Sequence, residues 1–452
     1  MSFVRNVIST SLKFIPYTFI VAFDCIVTNP VHAQQAPVIT IDSLFRLTEQ
    51  QSKQIQFARE QIYLAEENTG IAKNNRLPDI TGEVSVGYLS SAQIWDHRFN
   101  YQETMPIPHV SNSYSLEAEW MVFKGESIIG NIEKSKMQEQ IVRLDFKKNR
   151  EDIQLLILAK YLDLLTLYNR KKVYEQNKAL AEARMNNAQA LCKQGMVTHN
   201  DIVRNQLQIN DFNLNINEIV NNINIVNNEL VQTLALPEQT IIQADTALYN
   251  FGETIRATEL STDINNTSAL PELQIAQYQI QVAGKDILLS KAEKFPSILL
   301  YAGSQLQRPF LYTMPPLDIY TNFSSIGVKL TYNISSLYKS TRHIQKSIIA
   351  YRQAELNADD ISQQVKIKLY EAEIKYKESI EKWKFEQESY VLAKDNYLVV
   401  LHKYINRLAV MTDLVDASTA LLSAQLQLCN AQINIVYRYY CLLKQSGNWP
   451  EK

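Results

Sequence analysis

Asp413 and Asp416 stand three residues apart in HKYINRLAVMTDLVDAS (402–418), a stretch that otherwise repeats apolar residues at helical spacing. That spacing places two carboxylates on one side of a helix, a turn from each other. Such a pair can serve a helix start, through capping and the macrodipole, or it can present negative charge to passing cations. Thr412 beside them favours the first use. Leu414 and Val415 fall on packed stripes and leave both carboxylates on the side away from the seam, which favours the second. Both readings stand at this point. A third acid, Asp201, holds the matching place in an earlier stretch: GMVTHNDIV (195–203) aligns with RLAVMTDLV (407–415), Asp201 over Asp413 and Val203 over Val415. No phosphate loop, HExxH, nucleophile elbow or Cys-His-acid cluster accompanies these residues, so neither enzymatic activity nor a metal or cofactor is expected. His199 and His402 near the two stretches read as solvated histidines.

The elements that must hold these acids are long helices. No proline lies between Pro108 and Pro237, or between Pro316 and Pro450, so two stretches lack the commonest helix breaker. Helices are predicted from Glu126 to Gln194 and from Leu337 to Tyr404, each on the order of 100 Å at the α-helical rise. A turn follows each. Gly195 suits the left-handed cap of the first, and Asn406 that of the second. Beyond the first turn Ile202, Ile209, Ile216, Ile223 and Leu230 recur every seven residues, and beyond the second Leu414, Leu421, Leu428, Ile435 and Leu442 do the same. Leu369, Tyr376, Trp383, Tyr390, Tyr397 and Tyr404 form another ladder, read as core packing. Stripes this long imply helices that supercoil around neighbours.

Four short segments of period two separate the helices. In ITGEVSVGY the residues Ile80, Gly82, Val84, Val86 and Tyr88 share a face. YSLEAEWMV places Tyr114, Leu116, Ala118, Trp120 and Val122 together, and IGVKLTYNI does so with Ile326, Val328, Leu330, Tyr332 and Ile334. SILLYAGSQL (297–306) alternates poorly. Nine to eleven residues with one apolar face suit a tilted strand in an outer-membrane barrel, and also a half-buried soluble sheet. Four strands cannot close a barrel, so strands at a membrane would be pooled between subunits. The joining stretches 91–110 and 308–322 are expected to be surface loops.

The chain is 452 residues long with a formal charge of −2, which carries no basic footprint for nucleic acid. Arg5 and Lys13 before FIPYTFIVAF, then VHA at 31–33, read as an export leader cleaved after Ala33. Cys25, behind Asp24, is a poor lipid-anchor site. Cys192, Cys429 and Cys441 read as unpaired thiols on packed helix faces. The expected organisation is a leader at 1–33, a first repeat at 34–240, a connecting segment at 241–270 and a second repeat at 271–452.

Leader, duplicated helix, strand pair, long hairpin, and a tip followed by an acid and an apolar heptad: in that order, these features resemble the TolC-like outer-membrane efflux proteins. The resemblance implies a mainly α fold with a small β part. Duplicated coiled-coil hairpins would build an α-barrel, and four strands per chain would join a trimeric twelve-stranded transmembrane β-barrel. It implies a homotrimer in the outer membrane of a Gram-negative bacterium, surrounded by outer-membrane lipid and extending into the periplasm. Its partners would be a periplasmic adaptor and an inner-membrane transporter, and it would form the exit duct of a tripartite efflux or type I secretion system. An exported coiled-coil scaffold or adhesin is the alternative. The resemblance further implies docking tips at Gly195, Met196 and Val197 and at Lys403, Tyr404, Asn406, Arg407 and Leu408. It also implies a periplasmic gate at Asp413 and Asp416, where a closed threefold ring would crowd six carboxylates, with Asp201 tying neighbouring helices together. Tyr404 matches the family's second tip. Arg407 replaces its usual glycine, and Ala409 stands where a basic partner of Asp201 is usual, so Arg407 is expected to substitute for that partner.

Overall fold

The two proline-poor stretches fold as helices of 67 and 70 residues, within a residue or two of the expected bounds. The computed structural model describes residues 38–244 and 269–450; the leader, Cys25 and most of the 241–270 segment lie outside them. In chain order the elements are β1 (Val38–Ile39), α1 (Ile41–Gln51), α2 (Lys53–Asn74), β2 (Asp79–Tyr88), β3 (Ala92–Trp95), β4 (Tyr101–Met105), β5 (Val110–Lys124), α3 (Ser127–Lys193) and α4 (His199–Thr233). There follow β6 (Gln243–Ala244), α5 (Pro271–Ala292), β7 (Ser297–Arg308), β8 (Thr321–Thr331), α6 (Ser336–Ile405) and α7 (Met411–Gln445).

The main sheet is antiparallel throughout, in the order β2-β5-β7-β8. Helices α2, α3, α5 and α6 pack side by side in the same order beneath it, so each strand continues into one helix of a matching layer. Farther along, α3 pairs with α4 and α6 with α7, and α3 touches α7 across the two hairpins. Between β5 and α3 the chain turns on two successive left-handed residues, Gly125 (φ 57°) and Glu126 (φ 65°). A Cβ at Gly125 would come within 2.6 Å of the Ala292 carbonyl oxygen, so only glycine fits the close approach of α5.

The heptad ladders are the seams. Ile209, Ile223, Leu230, Leu414, Leu421, Ile435 and Leu442 are buried, as are Leu369, Tyr376, Trp383 and Tyr397 on α6. The largest apolar cluster lies at mid-length, where Phe45 of α1, Tyr161 and Leu165 of α3, Leu230 of α4 and Tyr440 of α7 meet. Here β1 pairs in parallel with β6, the Tyr161 hydroxyl donates to the Ile39 carbonyl, and the Trp449 indole donates to Gln154 Oε1 at 2.7 Å. The three described cysteines are unpaired thiols.

Register explains the strand that alternates poorly. Ala302 of β7 lies between Ala118 and Ile326, and Leu300 between Trp120 and Val328, so Ile298, Leu300, Ala302, Ser304 and Leu306 complete one apolar face. Glu83, Glu117, Glu119, Gln305 and Gln307 share the other. Two expectations need correction. Val122 does not continue the Trp120 face in register: a β-bulge between Met121 and Phe123 leaves it unpaired, and Phe123 takes the place opposite Ile298. The stretch 91–110 is not a plain loop, because β3 and β4 form a hairpin there whose turn is held by Asp96 accepting the backbone N–H groups of Arg98 and Asn100, both at 2.8 Å.

Candidate gate and hairpin tips

At the first tip α3 ends on Lys193, and Gly195 takes the left-handed conformation (φ 70°). The Met196 N–H then reaches back to the Leu191 carbonyl at 2.9 Å, which satisfies a helix-end acceptor. Thr198 starts α4 with a reciprocal cap. Its hydroxyl accepts from the Asp201 N–H at 3.3 Å, and the Asp201 carboxylate accepts from the Thr198 N–H at 3.0 Å and hydroxyl at 2.8 Å. Met196 is about half exposed.

The second tip repeats this geometry with different residues. Leu408 N–H bonds the Lys403 carbonyl at 2.7 Å, and the left-handed residue is Arg407 (φ 63°), not Asn406. Asn406 instead closes the helix with both its backbone N–H and its side-chain amide on the His402 carbonyl. Helix α6 runs one residue past Tyr404, which moves the left-handed position one residue on, to the place Gly195 holds in the first repeat. Because a non-glycine residue pays roughly 1 kcal/mol for that conformation, Arg407→Gly is expected to increase amide-exchange protection across 403–414 about fivefold. Unchanged protection would show the tip to be unstrained.

Asp413 lies three residues after Val410, the residue that caps α7. Its carboxylate accepts the Val410 N–H at 3.3 Å; valine has no oxygen to return the bond, so this cap is one-sided where that of α4 is mutual. Asp413 and Asp416 are both exposed, flanking the stripe of buried Leu414, Ala417 and Leu421 on α7. Asp416 makes no hydrogen bond or ion pair among the described residues.

Asp201 is half-buried and close enough to Tyr404 to act on its phenol. Burial, then the Asp201 charge, push Tyr404 above the ordinary tyrosine range, while Arg184 opposes both. The Tyr404 hydroxyl is buried with no hydrogen-bond partner among the described residues. Arg407 does not pair with Asp201 within the chain: its guanidinium points at Met196 Sδ, 3.2 Å away, and joins the two tips. Sequence reasoning missed two cations here, one bonded to Thr412, the neighbour of Asp413 in sequence, and one acting on Tyr404 in opposition to Asp201. Arg204 of α4 donates to Thr412 Oγ1 at 2.9 Å. Arg184 of α3, 8% exposed, donates to Gln208 at 3.1 Å, and its burial pulls the guanidinium below its ordinary value. The Arg204 contact spans 208 positions of sequence, and only the side-by-side placement of the two hairpins reveals it.

Residues 44–236 match the family described as outer membrane efflux protein. No curated protein matches the sequence. Among solved structures, the outer membrane protein VceC of Vibrio cholerae superposes with a TM-score of 0.74 at 13% identity, over 90% of this chain and 96% of that one. The CmeC outer membrane channel of Campylobacter jejuni gives 0.73 at 13% identity, over 90% and 85%. A membrane protein of Pseudomonas aeruginosa gives 0.75 at 12% identity, over 92% of each.

Proposed function

We propose that this chain, in which residues 44–236 match the outer membrane efflux protein family and the described length has the fold of outer-membrane channels, is the exit duct of a tripartite efflux or type I secretion system. The observation that carries the reading is the sheet. Its order leaves β2 and β8 as open edges, and its apolar face is bare: Val84, Val86, Ile326, Val328 and Leu330 are each more than 60% exposed. A soluble protein does not leave such a face and two such edges to water. The four strands alternate in direction, so β8 of one copy meets β2 of the next antiparallel, and a ring of copies closes without an edge. We take the ring to be three chains with twelve strands, surrounded by outer-membrane lipid, with the hairpins extending through the periplasm.

Within this reading the mature chain divides into repeats at 34–240 and 271–452, joined by 241–270; the matching succession of helix, strand pair and hairpin in both halves supports it. The exposed tips are the docking surface for a periplasmic adaptor, which links the duct to an inner-membrane transporter. Leu408 (78% exposed) and Val410 (62%) offer that partner apolar contact. Asp413 and Asp416 line the gate in addition to their place at the start of α7, and Asp201 beside Tyr404 ties the hairpins together. An exported coiled-coil scaffold accounts for the hairpins but not for the bare sheet.

The test is membrane fractionation with gel analysis of unheated and heated samples. Outer-membrane recovery as a heat-modifiable trimer that conducts in planar bilayers is expected; a soluble, extended monomer would end the channel reading. For the tips, Arg407→Glu is expected to reduce export in cells at unchanged trimer yield. Export at the wild-type level would remove Arg407 from the docking surface.

A further inference from the structure

We propose that the junction between sheet and helices is a binding surface for anionic phospholipid headgroups in the leaflet that faces the helical shaft. The inference rests on the outer-membrane reading above. Cations gather where strands meet helices. Arg76 lies between α2 and β2, Lys291 and Lys294 lie at the passage from α5 to β7, and Lys339 and Arg342 occupy the first two turns of α6. All but half-buried Lys294 are exposed, and no side chain of the five is in an ion pair or hydrogen bond among the described residues. The nearby carboxylates are Glu126 and Glu293, with Asp79 and Glu119 opposite each other on the polar face of the sheet, and Glu293 faces His343 at 3.5 Å. In a chain whose formal charge is −2, this is a local positive excess.

The opposite end of the sheet has no such excess. Its connecting stretches carry Arg98 and Arg308 against Asp96, Glu103 and Asp318, and Arg308 is committed to Asp318 through two bonds of 2.7 and 2.8 Å. The basic band is therefore a property of one side of the membrane. Between it and the bare apolar face lie aromatic rings: Trp120, fixed by its indole N–H on the Arg76 carbonyl at 2.8 Å, and Phe295, Tyr332 and Tyr338, 57%, 42% and 68% exposed. Apolar, aromatic and basic residues thus follow one another away from the middle of the sheet. Hydrocarbon, interface and anionic headgroup follow one another in a lipid leaflet in the same order. A free phosphate ion would use the cations but would have no need of the apolar and aromatic layers beside them. The lipid phosphate accepts charge-assisted bonds from the lysines and Arg342 while its chains lie on the strands.

The experiment follows thermal unfolding of the folded, full-chain assembly in uncharged-detergent micelles with added phosphatidylglycerol, phosphatidylcholine or inorganic phosphate. Phosphatidylglycerol is expected to raise the midpoint, and the other two are not. The rise should shrink as salt screens the charges. Lys291→Gln, Lys294→Gln, Lys339→Gln and Arg342→Gln together should remove more than half of it, whereas Lys171→Gln with Lys178→Gln, on the shaft, should leave it intact. Should the fourfold variant fail to assemble, Lys291→Arg, Lys294→Arg and Lys339→Arg must assemble and keep the rise, and the salt dependence in the unaltered protein decides. Equal response to both lipids, a response to inorganic phosphate alone, or a salt-independent rise overturns the proposal. Channels that conduct but ignore lipid charge would overturn it without touching the channel reading; a chain that never inserts would overturn both.

Discussion

Asp413→Asn combined with Asp416→Asn is expected to raise single-channel conductance in planar bilayers and to weaken block by a trivalent cation by about tenfold or more, the scale on which a focused charge cluster enriches counter-ions. The substitution separates the two uses of these residues. Asparagine keeps an oxygen in the place where Asp413 accepts the Val410 N–H, so the start of α7 remains capped while the negative charge is gone. In the proposed ring of three chains six carboxylates would disappear at once, and cations held by them would be released. Asp413→Ala removes charge and cap together and should in addition cost about 1 kcal/mol of local stability, visible as faster amide exchange over the first turns of α7. If block and conductance are unchanged in the double Asn variant, both aspartates belong to helix capping alone and the gate lies elsewhere.

Glu151→Gln is expected to stabilise the folded protein at pH 8 by on the order of 3 kcal/mol and to leave its stability near pH 4 almost unchanged. Glu151 lies in α3, 5% exposed. Burial pushes its carboxyl up to about 7, partly offset by Lys147, Arg150 and Lys444 and reinforced by Glu272. The unfolded chain releases this proton near pH 4.5 and the folded chain only near pH 7. Between those values the folded state binds more protons, so stability falls as pH rises through the window and is level above it. Glutamine, neutral throughout, removes that slope. Denaturant unfolding at a series of pH values reads it directly, and an unchanged slope in the variant would show that Glu151 is solvated as a charge.

The helices and their seams were legible because they depend on spacing alone: proline-free length and a seven-residue repeat located α3, α4, α6 and α7 closely. The strands were legible for the same reason, yet Val122 was not, since a bulge is set by the partner strand and leaves the period of its own segment intact. Arg407 escaped because propensity favours asparagine in a left-handed position, whereas the position itself is fixed by where the preceding helix stops. The two cations were hidden more deeply. Arg184 and Arg204 act across helices far apart in sequence, and nothing local distinguishes them from arginines on a solvated face. The parallel pairing of β1 with β6, two residues long in each strand, lies below what any period can reveal.

The open edges of β2 and β8 also impose an order in time. Within one chain the hairpins bury their own seams, but the sheet has neither a covered face nor a closed edge, so its strands gain little by pairing before other copies and lipid arrive. In the proposed ring, helical folding can therefore precede assembly, while completion of the sheet, association of copies and entry into the bilayer would happen together. A chain caught before that step carries exposed strands ready to pair with any neighbour. Its survival depends on how quickly it meets its own kind, and its yield should respond to expression level far more steeply than that of a protein which finishes folding alone.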